Sequence, residues 1–187
     1  MFDNFFSHHP LKPKEAIVDK TLDPSISSAD QMITLRKPEL EQVLPHRGNA
    51  LLIERVDIFP SQGLAIGLLR FAAAENDPVF TGHFPDNPIM PGHWLVEFAS
   101  LTCAVLFTVS SGIPITGTTG VRIVGLDGCR FLSEVHPWTA LTCTAKLVKH
   151  RNSIAVFRAM IGNTYTAVCR IEKLTGMIVK ERTLGSS

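Results

Sequence analysis

What this sequence has least of is net charge. Lys and Arg number 18 against 17 Asp and Glu over 187 residues, a formal balance of +1. Such a chain projects no overall basic field, which argues against a nucleic-acid role. Cysteine is sparse as well: Cys103, Cys129, Cys143 and Cys169 form no C-x-x-C pair and sit in apolar runs, as structural thiols of a cytosolic protein do. The opening, Met1 to Pro10, lacks a basic n-region and a continuous apolar run, so it does not read as a secretory signal. No internal repeat is evident. The longest apolar segment is interrupted by Glu97 and too short for a convincing membrane span, so a cytoplasmic location is expected.

What is there is ample apolar material, 45% of residues, enough for one domain with a full core. From Trp94 to Ser111 there is neither Pro nor Gly, and Leu95, Val96, Phe98, Leu101, Val105, Leu106 and Phe107 leave almost no polar face. That pattern predicts a buried central helix. Its one charge is Glu97, and a lone carboxylate in apolar surroundings is costly unless paired, protonated or functional. Just upstream, Pro85, Pro88 and Pro91 stiffen a loop in which Gly82 and Gly92 permit close approach, so His83 is expected in a defined position.

Taken in order, residues 1–35 read as an extension without periodicity and 36–187 as one domain. The adjacent His8 and His9 read as a solvated tail rather than a metal pair. Pro38 opens a short helix over Glu39 to Leu44, and Pro45 ends it. Strands are expected over 51–59, 64–72, 121–126, 140–148, 154–161 and 165–174, with a hairpin signal at Gly162-Asn163 and an edge strand over 177–182. One long apolar helix set among antiparallel strands is an α+β layout, the sheet wrapping the helix to bury it.

Leu44-Pro45-His46-Arg47, then Leu51 to Val56, then Gly82-His83-Phe84-Pro85-Asp86-Asn87-Pro88-Ile89-Met90-Pro91-Gly92 with Glu97, then Gly125 to Phe131, stand in this order and spacing. Over about residues 36–175 the chain thereby resembles the hotdog-fold 3-hydroxyacyl-[acyl-carrier-protein] dehydratases of fatty acid synthesis. The resemblance implies a hotdog fold, an antiparallel sheet around a long central helix. It implies His83 and Glu97 as catalytic residues, each site taking them from two subunits of a homodimer or trimer of dimers. It further implies acyl carrier protein, with its phosphopantetheine-linked acyl chain, as partner, and neither cofactor nor metal.

Removing water from a 3-hydroxyacyl thioester needs a base for the α-proton, an acid for the hydroxyl and a donor for the thioester oxygen. His83 suits the first role and a desolvated Glu97 the second. The backbone N–H groups of Gly92 and His93, at the positive end of the helix, suit the third. Phe84, Pro91, Trp94 and Phe98 are expected to line the acyl tunnel. Arg122 and Arg130 are expected to meet the carrier, with Lys146, Lys149 and Arg151 as further basic candidates. Two rival readings concern the same residues: Glu97 paired structurally with Arg122 or Arg130, and His83, His93 and Glu97 as a two-His-one-carboxylate metal site. The chain also departs from the family. His93-Trp94 places bulk at the expected tunnel mouth, Leu101 stands where the family carries Gln, and Leu132-Ser133-Glu134 replaces a basic run. The alternatives to a dehydratase are a hotdog thioesterase, with Glu97 activating water, and a non-catalytic acyl-binding subunit.

Overall fold

A computed structural model describes residues 31–70, 77, 79–112 and 119–180. The extension over residues 1–30, the end of the second expected strand at 71–72, and positions 181–182 lie outside the described residues. Among these, the elements run β1 (Ile33–Arg36), α1 (Lys37–Val43), β2 (Arg55–Phe59), β3 (Leu64–Leu69), α2 (Gly92–Ser111), β4 (Thr119–Phe131), β5 (Leu141–Arg151), β6 (Ile154–Gly162) and β7 (Ala167–Lys180). The seven strands form one antiparallel sheet in the order β1-β2-β3-β5-β6-β7-β4.

Local chemistry explains the boundaries. Pro38 occupies the first turn of α1, and the Glu39 carboxylate accepts the Arg36 N–H at 2.9 Å. At the other end Leu44 closes the helix onto Leu40 O, and Pro45 blocks its continuation. Helix α2 ends at Gly112, whose φ of +62° is the left-handed conformation that finishes helices. The β6–β7 turn is held by the Asn163 side-chain oxygen, which accepts the N–H groups of Tyr165 and Thr166.

The sheet must curve to embrace one helix, and its pairing shows how. Register shifts interrupt β4–β7, β5–β6 and β6–β7, and each extra residue bends its strand. In the concavity α2 packs against β3, β5 and β6, with Phe98, Leu101, Cys103, Val105, Leu106 and Phe107 fully buried. Ser100 and Thr102 satisfy their hydroxyls on Val96 O and Phe98 O one turn back, so they cost the core little. By length and composition α2 could cross a membrane, but 67% of its most apolar window is buried inside the sheet, as in a core helix.

Three expectations are corrected. Strand β1 pairs with β2, though nothing in its four residues had marked it as a strand. The separate edge strand over 177–182 is, as far as Lys180, the continuation of β7, which runs on through Gly176 because its pairing with β4 continues there, Ile123 opposite Gly176 and Val121 opposite Ile178. Helix α2 is not buried all round: His93 is exposed, Trp94 and Val96 are half-buried, and the Glu97 side chain is 40% exposed. The first turns reach beyond the sheet's cover, so Glu97 is not desolvated within one chain.

Candidate active site

The His83 loop is anchored at both ends. Asp77 accepts the Val79 N–H on its side chain and the Phe80 and Thr81 N–H groups on its carbonyl, seating Val79 and Phe80 in the core. At the far end Met90 is buried and its N–H donates to Val135 O at 2.8 Å. Between them the loop folds on itself: Ile89 N–H donates to His83 O, and Phe84 and Asn87 exchange backbone hydrogen bonds. Gly82, with φ +82°, makes the turn into His83, and the His83–Phe84 peptide is cis. His83 Nδ1 lies 3.1 Å from Ile89 O. A carbonyl only accepts, so this contact places the ring proton on Nδ1 and leaves Nε2 with a lone pair. Phe84 stacks on the imidazole at 4.3 Å while remaining 53% exposed.

Glu97 has a neighbour that was not among those expected. Its Oε1 lies 3.7 Å from Nε2 of His46, not against Arg130. His46 follows α1 and is held by Arg47, whose guanidinium donates to the carbonyls of Glu41, Leu44 and His46, each at 2.7 Å. The His46 Nδ1 is buried without a hydrogen-bond partner. Burial holds the imidazole pKa below its ordinary 6.5; Glu97 opposes that, and the charges of Arg122 and Arg47 add to it. Because an orphaned N–H is costlier than an orphaned lone pair, the proton of the neutral ring belongs on Nε2, facing the carboxylate. Together they border a cavity of about 430 Å³, whose lining includes Pro45, His46, Glu97, Leu101, Arg122 and Ile123 but not His83.

The remaining expected residues are dispersed. Gly92 is half-buried at the first position of α2, and the Phe131 ring lies so close that a Cβ on Gly92 would stand 2.7 Å from it. His93 points to solvent beside Trp94. Pro91 caps α2, Trp94 borders a second cavity of about 230 Å³ with Lys37, Glu54, Arg70 and Asp77, and Phe98 is a core side chain against Gly67, away from both cavities. Arg122 lines the Glu97 cavity, whereas Arg130 is exposed opposite Arg170. Lys146 donates to Gln62 O; Lys149 and Arg151 lie on the β5–β6 hairpin, where His150 meets Phe107 near the far end of α2 from His83. Among the described residues no three His, Cys, Asp or Glu side chains converge, so His83, His93 and Glu97 do not gather within one chain. The residue that sequence reasoning missed is His46. It stood in the quoted L-P-H-R run, but only the packing of α1 against α2 brings it to Glu97.

Comparison with known proteins gives the family. A FabA-like domain model matches residues 44–172. The 3-hydroxyacyl-[acyl-carrier-protein] dehydratase FabZ of Shewanella baltica is 35% identical over 147 residues, covering 77% of this chain and 93% of the relative. FabZ of Listeria monocytogenes is 32% identical over 75% of this chain and 93% of its own length. In structure, the dehydratase heterocomplex ApeI:P of Xenorhabdus doucetiae superposes with a TM-score of 0.60 over 77% of this chain and 91% of that one; at 13% identity this likeness bears on the fold alone.

Proposed function

The chain belongs to the FabA-like family and has the hotdog fold, and from that premise we propose how its residues share the removal of water from a 3-hydroxyacyl thioester on acyl carrier protein. The activity is that of a 3-hydroxyacyl-[acyl-carrier-protein] dehydratase, a lyase of fatty acid synthesis. His83 Nε2 takes the α-proton, its ring aligned by the Nδ1–Ile89 hydrogen bond; that bond is the observation that carries the reading. Glu97 delivers a proton to the departing hydroxyl, so the products are the 2-enoyl thioester and water. The imidazolium and the carboxylate are left to exchange one proton before the next turnover. His46 positions the Glu97 carboxylate from its Oε1 side, leaving the other oxygen for substrate. The N–H groups of Gly92 and His93, which lack intrahelical acceptors, face the thioester oxygen.

The cavity at Glu97 does not contain His83 of its own chain, and β4 offers the means to bring in that of a second copy. It is a 13-residue edge strand with Ile123, Val124, Leu126 and Phe131 exposed, and a long apolar edge is a template for pairing. Two copies joined along β4 bring the His83 loop of one to the Glu97 cavity of the other. The working unit is then a homodimer, in the cytoplasm, meeting the carrier near Arg130.

The test is a 3-hydroxyacyl thioester assayed for both possible products. Enoyl absorbance without free thiol is expected, and His83→Ala and Glu97→Gln should each lower turnover by about 10²–10⁴-fold while staying folded. Free thiol in place of the enoyl band would make the enzyme a thioesterase, and near-normal turnover in either variant would overturn the assignment.

A further inference from the structure

Trp138 holds a backbone conformation that its surroundings do not explain. Its φ is +66° and its side chain is 61% exposed. Pro137 and Trp138 make the turn between β4 and β5, and a proline followed by a left-handed residue is the layout of a type II turn, where the second place ordinarily falls to Gly. A bulky aromatic side chain there is strained, and such strain persists where function selects it. Among the described residues Asn152 also has a positive φ, but asparagine tolerates it. Trp138 has neither that tolerance nor a place in the core.

Its location supplies a reason. Three residues earlier Val135 O receives the Met90 N–H at the end of the His83 loop, and three residues later Leu141 pairs with Leu69. The same end of the molecule carries Phe84, stacked on His83, and Phe131, 55% exposed over Gly92. A thioester whose acyl carbons reach His83 trails the rest of its carrying arm toward solvent, and these exposed rings, tied to the His83 loop through the Met90–Val135 hydrogen bond, offer it apolar surface. That arm is a chain of methylenes and amides. An indole gives it a flat apolar face and one N–H donor, with little side-chain freedom to lose.

We infer that Trp138 is a specificity-determining residue that binds the amide-containing arm of the thioester on the solvent side of His83. The inference rests on the dehydratase reading above. It accounts for a tryptophan where the backbone favours glycine: the turn gives up stability, and the exposed ring gives recognition of the carried substrate.

The experiment compares wild type, Trp138→Gly and Trp138→Phe on one 3-hydroxyacyl group attached to pantetheine, to carrier protein and to N-acetylcysteamine, which lacks most of the arm. Trp138→Gly should raise KM about tenfold for the pantetheine and carrier thioesters, leave kcat within about twofold, and leave the truncated thioester unaffected. Trp138→Phe should keep most of the wild-type preference. The thermal midpoint of the Gly variant should equal or exceed that of wild type, because glycine relieves the left-handed strain. An equal KM rise on all three thioesters, or a lowered midpoint, would overturn the inference. So would a rise confined to the carrier-borne substrate, which would assign Trp138 to the carrier's surface, or a change in oligomeric mass, which would assign it to a contact between copies. Failure of wild type to dehydrate any of the three would sink the dehydratase reading instead.

Discussion

The consequences of burial are sharpest at single residues. His46 has a pKa below the ordinary 6.5, so the unfolded chain binds a proton more readily than the folded one. The stability it contributes is therefore full above pH 6.5 and is lost as pH falls below that value toward the lowered native pKa. Wild type should lose more thermal stability than His46→Asn between about pH 7.5 and about pH 5.5, and coincident slopes would show that another group titrates. The cysteines behave as the sequence led one to expect. Burial pushes the thiols of Cys143 and Cys169 up to about 12 and raises that of Cys103 well above its usual value; all four cysteines are free thiols.

At the scale of elements the decisive contact is that of α2 with β3. A Cβ on Gly67 would lie 2.4 Å from Thr102 Oγ1 and 3.2 Å from the Phe98 ring, so glycine sets how closely the helix seats in the sheet. Gly67→Ala should destabilise the fold by about 1–3 kcal/mol in chemical denaturation. Adding Thr102→Ala should recover part of that loss, since the two side chains compete for one space; strictly additive losses would show that the clash is relieved elsewhere. Most of these elements were legible because their signals are local. The Pro and Gly punctuation and the uninterrupted apolar run over Trp94–Ser111 place both helices, β5 and β6 to within a few residues, whereas β4 runs on to Phe131 and β7 to Lys180, past the expected ends at 126 and 174. Strand β1 was not legible, since its four residues become a strand only by pairing with β2.

The whole molecule raises the matter of assembly. With His83 absent from the cavity that holds Glu97, two inactive variants should complement one another. Co-refolded His83→Ala and Glu97→Gln chains, reassorting at random in a dimer, should recover roughly a quarter of wild-type activity, because about half the molecules are mixed and each holds one intact site. Subunit exchange without recovered activity would mean that each site is built within one chain. The strand edge tests the same assembly independently. Val124→Lys puts a charge in the apolar row of β4, 53% exposed in the single chain, and should shift the native mass to that of a monomer with loss of turnover. An unchanged mass would remove β4 from the interface.

The sequence by itself determined the fold class, the buried central helix and the loop that carries His83, because periodicity, proline placement and motif spacing are properties of neighbouring residues. It also carried the family resemblance, since ordered motifs survive without coordinates. Only the tertiary structure decided what each of those side chains faces. Glu97 looked desolvated because its helix is apolar along its length, yet the sheet covers only the later turns and leaves the carboxylate half open toward His46. The packing puts Phe98 in the core and sets Arg122 beside the Glu97 cavity, positions that no local pattern specified. Which face of a helix or strand meets which neighbour depends on curvature accumulated through several bulges and on elements far apart in the chain, and no local pattern encodes that sum.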